Sequence, residues 1–101
     1  MNVKQNNIER VEFKMKQCLT YSISNMEYLE TRGEGLAQII KGWLETKGLD
    51  VLVYDFILGE NANIIIDYSF EENMNTKRLQ ELVEQIFKKF NIEFKLEENI
   101  D

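Results

Sequence analysis

The chain contains no histidine and no proline, and its one cysteine is Cys18. Without histidine there is no imidazole base and none of the nucleophile systems that depend on one, and the commonest metal ligand is also missing. A lone cysteine cannot close an internal disulfide. Without histidine, little is available to lower its pKa except Lys14, Lys16 or another cation, so Cys18 reads as a small packing residue rather than a nucleophile. Alanine occurs only at positions 37 and 62. The bias toward Asn, Ile, Lys and Glu matches the coding habit of an A/T-rich genome, and the expectation is a low-GC bacterium or one of its mobile elements, including phage. No run of eighteen apolar residues exists, so no membrane span is expected. The opening "MNVKQNNIER" lacks an apolar signal core, which points to a cytoplasmic protein.

What is present is an ordinary globular composition of 101 residues, 44% apolar and 30% charged. That is enough for a single domain with one core. Residues 1–101 are read as one α+β domain with frayed ends at 1–7 and 98–101. The net charge of −6 argues against nucleic-acid binding, which needs a basic face to displace counterions, and against docking on an anionic membrane. It suits a basic protein partner. Lys77, Arg78, Lys88 and Lys89 alternate with acids and read as a solvated helix face.

The stretch "VLVYDFILGENANIIIDYSF" (51–70) reads as a β-hairpin. Leu52, Tyr54, Phe56 and Leu58 alternate on one side, as do Ile64, Ile66, Tyr68 and Phe70, with "GENAN" as the loop. Placing Leu58 opposite Ile64 puts all eight on a core face. Asp55 then opposes Asp67 on the outer face, among Val53, Ile57 and Ile65. Lys14 and Lys16 on a neighbouring strand are expected to offset the like charges. "NTKRLQELVEQIFKKF" carries an apolar stripe at helical spacing, with Asn75 or Thr76 as cap, and "NIEFKLE" alternates as a short last strand. "GLAQIIKGWLETKG" predicts a helix over about 34–47, ended by Gly48. Residues 11–23 alternate as a strand, while Ile8, Val11, Met15, Cys18 and Leu19 also fit a helical stripe. The strand reading gives a β-α-β-β-α-β order. This is a ferredoxin-like four-stranded antiparallel sheet with two helices on one face. A helical N-terminal segment gives α-α-β-β-α-β instead.

No catalytic constellation emerges, and no cofactor or metal is implied. Asp55 with Asp67 lacks the further oxygen ligands that a hard cation wants. "TRGEGL" (31–36) places two glycines at the expected start of a helix, where an anion could sit, but no Lys-Ser/Thr follows as in a phosphate loop. The expected role is therefore recognition: a non-enzymatic protein-binding module, such as an inhibitor, immunity or adaptor protein, that meets a basic partner surface. The expected contact residues are either Val53, Asp55, Ile57, Ile65 and Asp67 on the open sheet face or Met26, Tyr28 and Arg32 in the segment 24 to 35. A second expectation is a small-molecule-sensing domain that self-associates as a homodimer through that face.

Overall fold

The computed structural model describes residues 17–97. Six elements follow in order: β1 (Cys18–Ile23), α1 (Met26–Thr46), β2 (Leu52–Leu58), β3 (Asn61–Asp67), α2 (Thr76–Lys89) and β4 (Phe94–Leu96). The strands form one antiparallel sheet in the order β2-β3-β1-β4. The domain is thus α+β, and its two helices pack on the same side of the sheet. Cys18 and Leu19 lie in β1 rather than on a helical stripe, while the rest of that alternative, the part of the strand expected over 11–16 and the fraying expected at 1–7 and 98–101 lie outside the described residues.

The core face follows from alternation along the strands. Leu19, Tyr21 and Ile23 of β1 and Ala62, Ile64 and Ile66 of β3 are buried. Register sets Leu19 beside Ile66 and Tyr21 beside Ile64. Above them lie Leu29, Leu36, Ile40 and Leu44 of α1 and Leu79, Leu82, Val83, Ile86 and Phe87 of α2. Both helices begin at an asparagine. The Asn25 carboxamide oxygen accepts from the Tyr28 amide at 3.0 Å, and that of Asn75 accepts from Arg78 at 3.1 Å. Each cap satisfies an amide the helix itself cannot. Both helices also end in the same way. Gly48 and Asn91 take positive φ, and the next residues, Leu49 and Ile92, donate back to Leu44 and Phe87. This is the Schellman closure.

The helix expected at 34–47 is longer at its start. It begins at Met26, so "TRGEGL" lies inside α1 rather than before it. Its backbone amides are taken up within the helix, and the anion site considered there is excluded. Gly33 and Gly35 resembled a turn by composition, but Gly33 is a contact point: a Cβ built there would lie 2.8 Å from Asp55 Oδ2 and 3.1 Å from Asp55 Cβ. The glycine lets α1 approach β2 closely.

Tyr21 is fully buried, with its ring edge-on to Phe87 at 5.1 Å and to Phe94 at 5.7 Å. Its hydroxyl donates to Glu84 Oε2 at 3.1 Å. Burial first, then the adjacent Glu84 carboxylate, raises the phenol far above its ordinary pKa near 10. The folded chain therefore keeps a proton that the unfolded chain releases above about pH 10. The stability contributed by this neutral phenol is complete below that pH and is lost as pH rises through it, at up to about 1.4 kcal/mol per pH unit. Tyr21→Phe should cost about 1 kcal/mol at neutral pH and should show a shallower decline between pH 9 and 11 in denaturant titrations. Equal slopes for the two proteins would refute this account.

Candidate recognition face

The hairpin register differs from the expected one. Leu58 pairs with Asn61, not Ile64, and the loop is only Gly59-Glu60. Gly59 has φ +61°, the left-handed backbone that the first position of a two-residue hairpin loop requires. Asn61, Ala62 and Asn63 are therefore strand residues. The pairing has moved by three residues, an odd number, so β2 is turned over relative to β3.

The two aspartates consequently part. Asp55 aligns with Ile64 on the helix side and lies half-buried beneath Gly33. Val53 and Ile57 share that side, so Val53, Asp55 and Ile57 do not belong to the open face as expected. Ile65 and Asp67 do. Asp67 makes no ladder pair with Asp55. Its carboxylate accepts from the Ser69 amide at 2.9 Å and from the Ser69 hydroxyl. Lys14 and Lys16, expected to balance the aspartates, lie outside the described residues.

The overturned strand presents a different set. Leu52, Tyr54, Phe56 and Leu58 stand in a column on the open face, exposed by 43%, 43%, 46% and 65%. All four were expected in the core, as was Phe70, which is also exposed. Across the sheet the face changes in character. The β2 column is apolar. Beside it β3 offers Asn61, Asn63, Ile65 and Asp67, and β1 offers Cys18, Thr20 and Ser22. Lys95 of β4 faces outward next to Ser22. Burial raises the Tyr54 phenol above its ordinary pKa, and the charges of Cys18 and Asp67 add to the effect. Tyr54 thus sits partly packed against the sheet with its polar end near Asp67.

The second expected cluster divides. Met26 is the first residue of α1 and packs partly against the core. Tyr28, in the first helical turn, lines a shallow cleft of about 280 Å³ with Ser24, Asn25 and the segment 90–93. Arg32 is exposed in mid-helix. The three therefore do not form one contact surface with the sheet face. Among the described residues no group of three or more His, Cys, Asp or Glu side chains could hold a metal ion, and no helix is long and apolar enough to cross a membrane.

No family model matches the chain, and no significant match is found among curated proteins or solved structures.

Proposed function

We propose that the protein is a non-enzymatic protein-binding module, of the inhibitor, immunity or adaptor kind, whose contact surface is the open sheet face centred on β2. The observation that carries this reading is the exposed column Leu52, Tyr54, Phe56 and Leu58. Solvated faces of antiparallel sheets normally carry polar residues, and a contiguous apolar patch rimmed by polar ones is typical of a contact site. Tyrosine and phenylalanine are also enriched where interfaces concentrate their energy. Asp67 beside the column, with the overall net charge of −6, favours a partner that surrounds an apolar centre with basic groups. For the architecture, we propose the ferredoxin-like type. The crossovers β1-α1-β2 and β3-α2-β4, each spanning one intervening strand, support it. That architecture hosts many activities, so the function rests on the face and not on the fold.

The test is affinity purification from a low-GC bacterial host, run in parallel with wild type and with Tyr54→Ser/Phe56→Ser. Both side chains are exposed, so the double variant should fold normally. A polypeptide held by wild type and lost by the variant, with a purified-component affinity weakened about 30-fold or more, is the expected result. A partner that binds both proteins equally would remove the face from consideration.

A further inference from the structure

We propose, resting on the recognition role above, that the partner binds by adding a strand: an extended segment with basic side chains on alternate residues pairs antiparallel with the free edge of β2. β2 ends the sheet and has no neighbour on its outer side among the described residues. It is seven residues long, whereas β4 at the opposite edge has three. In a hairpin with a two-residue loop the flanking residues, here Leu58 and Asn61, form a hydrogen-bonded pair. Alternation along the ladder turns the backbone of Leu52, Tyr54 and Phe56 toward β3 as well. It leaves the N–H and C=O of Val53, Asp55 and Ile57 aimed at the free edge. Pairing with β3 is unbroken from Leu52 to Leu58, so no bulge blunts this edge, and β2 contains no proline or lysine to do so.

The charges beside the edge define what the added strand carries. Asp55 lies on the helix side, half-buried beneath Gly33, and among the described residues its carboxylate has no hydrogen bond or ion pair. α1 passes above it. Lys41 donates to the Val51 carbonyl at 3.2 Å, which identifies the flank of α1 that borders β2. Helical spacing places Glu30, Glu34 and Glu45 on that flank with Lys41. All three glutamates are exposed. Lys41 is already engaged, by Val51 and by Glu45 at 3.3 Å. The ledge above the free edge is therefore acidic. A strand laid along β2 sends alternate side chains under this ledge and the others onto the open face. Lysine or arginine suits the first set. Apolar residues suit the second, beside Tyr54 and Phe56.

A second copy of this chain does not meet these requirements. Its β2, "LVYDFIL", brings no cation, and pairing two such edges sets one acidic ledge against the other. In strand addition the main-chain hydrogen bonds supply affinity, and the alternate side chains select the partner.

The test is calorimetry of the full chain with a capped peptide of alternating valine and lysine, about as long as β2. In the antiparallel pairing the lysine amides face β2 and the valine amides face away. N-methylation of the lysine amides should therefore abolish binding, and N-methylation of the valine amides should preserve it, although both peptides keep every side chain and charge. Asp55→Asn, nearly the same size as aspartate, should weaken binding of the parent peptide about tenfold. Hydrogen exchange at the amides of Val53, Asp55 and Ile57 should slow when the peptide binds. Equal effects of the two methylations, no binding of the parent peptide, or an unchanged affinity in Asp55→Asn would overturn the proposal. So would protection of the same amides on raising the protein concentration without peptide, because that makes a second copy the occupant. A captured polypeptide that is lost by Tyr54→Ser/Phe56→Ser but not displaced by the peptide would remove strand addition and leave the proposed function standing. Capture that ignores those substitutions would remove the recognition face whatever the peptides do.

Discussion

Phe87→Ala should lower the unfolding free energy by about 3–5 kcal/mol, a large part of the roughly 5–15 kcal/mol that holds a domain of this size together. Phe87 is fully buried where three elements meet. Its ring lies 5.1 Å from Tyr21 of β1 and 5.0 Å from Phe94 of β4. Its carbonyl also accepts the Ile92 amide that closes the end of α2, at 2.8 Å. Removing the ring opens a cavity in the one place where the short strand β4 is attached by packing as well as by its three pairs with β1. Urea unfolding monitored by Trp43 fluorescence measures the loss, with Ile39→Ala as comparison. Ile39 is exposed on α1, and its truncation should stay within about 0.5 kcal/mol of wild type. A Phe87→Ala loss below about 1 kcal/mol would contradict this account of the core.

The second large effect concerns α1, and there the sign carries the information. Gly33→Leu should destabilise by about 1–3 kcal/mol, although leucine is the better helix former. The new side chain must enter space held by Asp55, whose Cβ and Cγ stand 3.1 Å from the position of the added Cβ. Gly35→Ala and Gly42→Ala should instead stabilise by up to about 1 kcal/mol, since an added Cβ at either site meets nothing within 4 Å. Thermal melts of the three variants decide the matter. A stabilised Gly33→Leu would mean that α1 does not rest on β2 at this point. Loss of stability in all three would mean that the glycines serve something other than close approach.

The elements of this fold were legible in the sequence because each carries its own periodicity. The stripe Leu79, Leu82, Val83, Ile86 and Phe87 marks α2, with Asn75 as its cap, and the alternation of β4 is equally plain. Two features misled. α1 starts at Met26 because Asn25 caps it, and a buried glycine within a helix resembles a turn until the strand beneath it is known. The hairpin was the greater error. In "LVYDFIL" six of seven residues are apolar, so alternation cannot say which side faces inward. Taking "GENAN" as the loop sets Leu58 opposite Ile64 and puts Leu52, Tyr54, Phe56 and Leu58 on the core face. The deciding signal was Gly59-Glu60, a glycine-first pair that suits a two-residue loop. Reading it that way fixes Leu58 opposite Asn61 and brings the column to the open face. Ile65 and Asp67 were placed correctly because the β3 alternation is unambiguous.

The strand order has a consequence for how the protein is made. β1 is the first described strand, yet it lies inside the sheet, and both of its neighbours are encoded later. Leu19 waits for Ile66, and Tyr21 waits for Leu96. A ribosome therefore releases β1 and α1 well before either can be covered. The hairpin must emerge before the first long-range pairs form, and the sheet closes only when the last residues of β4 arrive. Such late pairing slows folding and prolongs exposure of apolar strands. A nascent chain stalled before β4 should be readily cut by protease, and release of the final segment should make it resistant.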